Sequence, residues 1–498
     1  MKRKKRRVCL LMLISTVVLI GSACSKDDTS RTNKTLENQG KAYVDQYQMS
    51  VSLDTENKVI SGTVKATLQN ATEDDLKTIC VRNWAAAILK GKKQKTEIFS
   101  AKIGDRELEV ESKEDPSVVY LSDHDRILAQ ARESITVEYS FRTGIPEQKN
   151  RFGYVRFDQH EMYQLSFCFP QISRYQEGQW NENPYVGDSD ETYVNEVADY
   201  EVTLEHPEEY EVAATGTEQT HDGKTVITGQ NMREFAAVVS DHFDKIEDQE
   251  GGIPIFVYGP DYKGNRNYYE YSMQLAKEAV RIYTEKIGAY PFSEIKLVHC
   301  FSGGAMEYPG LCMIGMPDVK DYRKIGNDGR AELEAHVPHE IAHQWFYAAV
   351  GNDSYKEPWL DEGFSEFCED ILLPYFASGK VQKNLWKNMG YRSTKDLDKW
   401  LQKTVIPQTD RTKPINRNVS DYRDTKYEYS ECVYEGGKLF LYELWKEMGD
   451  QTFFDLLKKY YETYRFQIAT TDDFLKLVRS EKDDKKVEKI IRKYIETN

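Results

Sequence analysis

Apolar and polar positions follow two successive rhythms along this chain. From residue 43 to about 245 the period is two. Tyr47, Met49, Val51 and Leu53 alternate with polar neighbours, Asp54-Thr55-Glu56-Asn57 has turn composition, and Val64, Ala66 and Leu68 resume the alternation. This predicts a strand, a turn and a strand. Ile135, Val137, Tyr139 and Phe141 repeat the signature, as do Tyr200, Val202 and Leu204, then Tyr210, Val212 and Ala214. Short strands with one apolar side predict an antiparallel β domain with one wet face. After Gly251-Gly252 the period changes. Leu275, Ala276, Ala279, Ile282 and Tyr283 share one face of a helix predicted over 265–287, with Gly288 at its stop and Pro291 beyond. A short strand is expected from Ile295 to Val298. Helical patterns then dominate, and Val487, Ile490, Ile491 and Tyr494 predict a docked C-terminal helix.

The first residues follow neither rhythm. Lys2 to Arg7 are all basic, a mainly apolar run spans Val8 to Ile20, and Gly21-Ser22-Ala23-Cys24 follows. A charged segment, an apolar segment and small residues form a secretory signal, and the apolar run is short for a membrane span. A cysteine directly after small residues resembles a bacterial lipoprotein box, although Gly21 stands where Leu is usual. Cleavage before Cys24 would leave its thiol to carry lipid; ordinary secretion with an unmodified Cys24 is the alternative. Residues 25–40 are polar and without apolar periodicity, a flexible tether. The expected organisation is signal peptide 1–23, tether 24–40, β domain 41–245 and a mainly helical domain 246–498. The expected location is outside the cytoplasm, anchored to a bacterial membrane through lipid on Cys24.

Composition narrows the class. A chain of 498 residues that is 40% hydrophobic and 12% aromatic can pack two or three cores. Its net charge of −15 argues against nucleic acid as a partner. The 8 cysteines include no Cys-x-x-Cys pair, which disfavours a cysteine zinc site or a redox motif.

The chemistry is concentrated in His339-Glu340-Ile341-Ala342-His343. Residues four apart on a helix are separated by about 40° around the axis and about 6 Å along it. Both imidazoles therefore face one point and can bind one metal, with Glu340 beside them as a base for the attacking water. Glu362, in Trp359-Leu360-Asp361-Glu362-Gly363, supplies a third ligand and leaves a fourth position open, the pattern of a catalytic zinc site. Pro338 either starts the helix near His339 or kinks it. His336 could face the same side but reads as structural.

A pair of histidines spaced this way, eighteen residues and then glutamate resembles the gluzincin metallopeptidases of the aminopeptidase N type. Gly304-Ala305-Met306-Glu307 resembles that family's Gly-x-Met-Glu-Asn segment, and Val433-Tyr434-Glu435-Gly436-Gly437 its Tyr-x-Lys-Gly segment. Tyr47 to Asn70 resembles the first hairpin of its β domain. The resemblance implies a multidomain α+β fold, with a saddle-like antiparallel β domain before a thermolysin-like catalytic domain. It implies one zinc per chain on His339, His343 and Glu362, and peptide substrates. Glu340 would be the general base, Tyr434 the donor to the oxyanion and Glu307 the anchor of a substrate's α-amine. Gly304, Ala305 and Met306 would line the substrate cleft.

Three departures bear on these roles. Tyr308 replaces the motif's Asn, Gly436 replaces its Lys, and no Gln-x-Glu element is found between Phe167 and Trp180. Residues 251–498 resemble only the thermolysin-like part of larger members, which implies a more open cleft. The expected activity is aminopeptidase action. A zinc endopeptidase or narrow-substrate peptidase shares the metal site without the amine grip, and a non-catalytic surface-binding lipoprotein is the reading from another class.

Overall fold

The alternating residues of the β region do lie on one buried face. The computed structural model describes residues 38–148, 151–186, 194–261, 265–301, 304–316, 327–406, 413–422 and 427–496. The basic and apolar leader, Cys24 and most of the tether lie outside them. Strands Lys41–Asp54 and Val59–Asn70 form a long antiparallel hairpin in which Tyr47 opposes Ala66 and Leu53 opposes Ile60. Ser134–Gly144 extends it antiparallel on one side. Met49, Val51, Val64, Ala66, Val137, Val202 and Leu204 are all buried, as period two requires when one face covers a core. One pairing departs from the antiparallel expectation: Ala198–Glu205 runs parallel to Lys41–Asp54. Strands this far apart in sequence are free of the hairpin constraint that forces an antiparallel partner.

A second sheet begins the C-terminal region. Among the described residues its strand order is Phe243–Glu250, Ile253–Pro260, Ile295–Cys300, Leu311–Gly315 and Met306–Tyr308. Both edge strands, Phe243–Glu250 and Met306–Tyr308, pair antiparallel, and the three strands between them run parallel. The helix predicted from the 3.6 period spans Arg266–Lys286, and Leu275, Ala276, Ala279, Ile282 and Tyr283 on its inner face are buried. Gly288 follows it because a Cβ there would lie 2.4 Å from the Tyr461 ring. Helices Gly436–Met448, Asp450–Tyr464, Thr471–Glu481 and Lys485–Tyr494 complete the region. The last buries Val487, Ile491 and Tyr494, and Tyr494 packs 5.5 Å from Phe440. The protein thus has an N-terminal β region followed by a mainly helical one. No described helix is long and apolar enough to cross a membrane. The six cysteines among the described residues are buried free thiols.

Candidate metal centre

His339 and Glu340 lie in the last turn of helix Asn327–Ala342, and His343 follows its end. The helix runs through Pro338 and does not start there. Glu362 opens helix Glu362–Phe367, whose cap is the Asp361 carboxylate. That carboxylate accepts from the Glu362 backbone N–H at 2.7 Å, from Asn352 at 2.8 Å and from Ser354 at 2.7 Å. With the cap held on both sides, Glu362 Oε2 sits 3.2 Å from His339 Nε2 and 3.4 Å from His343 Nε2. One donor atom from each of the three residues falls within 4.8 Å of the others. His336 belongs to no such cluster among the described residues, and burial, aided by His339, lowers its pKa.

Two glycines bring Tyr434 to the same place. A Cβ on Gly437 would lie 2.6 Å from Gly363 Cα, so the two helices touch backbone to backbone. Tyr434, in the π-helical turn Ser430–Glu435, then donates its hydroxyl to Glu362 Oε1 at 2.6 Å. Its ring lies nearly parallel to His339, 6.0 Å away. Such π-turns recur at functional sites.

Glu307 enters from the edge strand, 3.8 Å from His343 Nδ1. Gln344 fixes that edge against the helix: it accepts from Gly310 N–H at 2.8 Å and donates to the Tyr308 carbonyl at 3.2 Å. Strand alternation separates the neighbours of Glu307. Met306 and Tyr308 bury their side chains in an apolar cluster with Val298 and Cys300, so the Met306 side chain is packed in the core and does not line a cleft. Gly304 is exposed and Ala305 half-buried, just before the strand. In the segment from Phe167 to Trp180, which lacks a Gln-x-Glu element, Phe167 has a left-handed backbone (φ 58°). The Arg151 guanidinium lies 5.6 Å above its ring and acts electrostatically on Glu307.

The outer ring nitrogens are also engaged. His339 Nδ1 faces Glu369 at 3.1 Å and Glu366 at 3.4 Å. His343 Nδ1 faces the Phe346 carbonyl at 3.2 Å. Partners of this kind fix the tautomer and leave each Nε2 free to ligate. Lys438, 3% exposed, ties Glu366, Asp370 and Glu435 together. Helical spacing from Glu362 makes Glu366 and Glu369 readable in sequence; Gln344, Lys438 and Arg151 carried no such signal.

These residues fit a bound cation. Burial alone would strip both histidines of their protons, yet Glu307 and Glu362 hold His343 up at about 9, and Glu362, Glu366 and Glu369 hold His339 well above its usual value. Burial would raise Glu362, yet hydrogen bonds from the two histidines hold it below the usual carboxylate range. A pocket that draws positive charge onto neutral-range ligands is one a metal can enter by displacing protons. Burial, then the Glu307 charge, pushes Glu340 up to about 8. Its Oε2 is buried without a hydrogen-bond partner among the described residues.

Comparison with known proteins agrees with this geometry. Residues 271–494 match the Peptidase family M1 domain. The chain is 25% identical over 232 residues to the alanine/arginine aminopeptidase of Saccharomyces cerevisiae, covering 46% of this chain and 26% of that one. It is 26% identical over 231 residues to human aminopeptidase O, covering 43% and 28%. The chain therefore spans about a quarter of the length of these curated relatives. A solved M1 zinc metallopeptidase from Deinococcus radiodurans shares the fold with a TM-score of 0.60 at 15% identity, covering 92% of this chain and 94% of that one. A two-domain M1 zinc metallopeptidase bound to L-arginine does so with 0.62 at 14%, covering 93% and 95%. Residues 271–494 are thus similar to a Peptidase family M1 domain, and the chain shares the fold of solved two-domain M1 zinc metallopeptidases.

Proposed function

We propose that this protein is a zinc aminopeptidase that removes N-terminal residues from peptides. The observation that carries the reading is the convergence of His339, His343 and Glu362 beside an unpartnered Glu340 oxygen. When bound, zinc polarises the scissile carbonyl and makes water a nucleophile near neutral pH. Glu340 takes the proton of the attacking water and returns it to the leaving amine. The Tyr434 hydroxyl, beside the same space, turns its proton from Glu362 Oε1 to the oxyanion. Glu307, buried and acidic at the edge of the site, holds a substrate's α-ammonium. The leader and Cys24 favour action outside the cytoplasm from a lipid anchor.

One observation favours a second reading. The positive field of Arg151 at Glu307 competes with an α-ammonium for the same carboxylate. A peptidase that takes internal or blocked peptides would tolerate this arrangement. Matched free and N-acetylated aminoacyl fluorogenic substrates, with one internally quenched longer peptide, separate the two. Cleavage of the free amines alone is expected. Cleavage confined to blocked or longer peptides would move the assignment to an endopeptidase with the same zinc chemistry.

A further inference from the structure

We infer that Arg233, in the β region, is a positioning residue for the metal ligand His343, acting through the Phe346 carbonyl. The inference rests on the metal reading above. Past His343 the chain leaves its helix in a tight loop. Ala348 N–H donates to the His343 carbonyl at 2.9 Å, and Tyr347 N–H to the Val350 carbonyl at 2.8 Å. Tyr347 has φ of 104°, a region that side-chain-bearing residues avoid. The Phe346 carbonyl belongs to the peptide unit whose rotation that φ sets. This same carbonyl faces His343 Nδ1. The strained backbone of Tyr347 and the orientation of the imidazole are therefore one geometric fact.

What holds the strain comes from 114 residues upstream. Arg233 Nε donates to the Tyr347 carbonyl at 2.6 Å. Its terminal nitrogens donate to Ala349 at 3.0 Å, to Gln467 at 2.8 Å and to Asn195 at 2.8 Å, all backbone carbonyls. Glu234 takes the other end of Tyr347, accepting from its hydroxyl. Arg233 and its neighbour thus grip one residue at both its backbone and its side chain. Gly351 leaves room for the grip, since a Cβ there would lie 2.2 Å from the guanidinium carbon. Arg233 is 3% exposed. Burying a guanidinium is costly unless its donors are satisfied, and a planar fork spanning several carbonyls is a geometry that lysine cannot reproduce.

The test is zinc affinity of the full chain by chelator competition, with the visible spectrum of the cobalt-substituted protein as a second readout. Arg233→Lys should retain wild-type far-ultraviolet circular dichroism, bind zinc about 10- to 100-fold more weakly, and shift the cobalt bands. A folded Arg233→Lys with zinc Kd within twofold of wild type and an unchanged cobalt spectrum would overturn the inference. Should that variant not fold, Tyr347→Phe, which frees one end of the grip, decides on the same two readouts. A weaker Kd supports the inference and an unchanged one overturns it. Wild-type protein that takes up no zinc would instead overturn the metal reading, and this inference with it.

Discussion

The two histidines sit one helical turn apart, yet their outer nitrogens rest on opposite kinds of support. Behind His339 lie Glu366 and Glu369, with Lys438 tying Glu366 to Asp370 and Glu435. That support is ionic and belongs to the helical region. Behind His343 lies the neutral Phe346 carbonyl at 3.2 Å, in a loop gripped from the β region by Arg233, with the Glu307 carboxylate farther off at 3.8 Å. The difference teaches that one metal site can be tuned from two directions. Acidic support raises the basicity of one ligand and offsets the metal's charge. Neutral support fixes the direction of the other and couples it to the packing of the two regions.

Variants on the His339 side sharpen this contrast. Lys438→Met leaves three buried or half-buried carboxylates without their shared cation. It should cost about 3–5 kcal/mol of stability, read by chemical denaturation. Tyr434→Phe removes the hydroxyl that donates to Glu362 Oε1 while leaving all three ligand side chains in place. Zinc content should stay at wild-type level while kcat falls by about 10²–10³. Gly437→Ala forces apart the two helices that meet at Gly363, and a thermal melt should show a loss of about 1–3 kcal/mol. Glu369→Gln replaces the carboxylate facing His339 Nδ1 with a less basic amide oxygen, so zinc affinity should weaken about 10-fold by chelator competition, with the fold intact. An equal loss in affinity from neutralising Glu369 and from altering Arg233, with identical cobalt spectra, would break the contrast.

Much of this was legible in the sequence, for physical reasons that differ by region. Met49, Val51 and Val64 announced a half-buried sheet because pleating alternates faces every residue. His339 and His343 announced a metal because helical geometry stacks positions four apart. Glu362 followed from the need for a third ligand. Glu366 and Glu369 continue its helical face and were readable in principle. Arg233 was not, because its work depends on a tertiary contact with a strained residue whose φ no local pattern encodes. Lys438 was hidden in the same way, since only folding gathers its three carboxylates. The parallel pairing of Ala198–Glu205 with Lys41–Asp54 was equally invisible, because alternation fixes which face is buried and not the direction of the neighbour. Met306 shows the reverse: a motif suggested cleft contact, while strand alternation buries its side chain.

The most direct test of the account is turnover of a free aminoacyl substrate by wild type and Glu340→Gln at matched zinc content. The account predicts one zinc per chain in both, held by His339, His343 and Glu362, and a loss of at least about 10²-fold in kcat for the variant. A zinc-loaded Glu340→Gln that retains more than about a tenth of wild-type activity would contradict the role of Glu340 as the proton carrier.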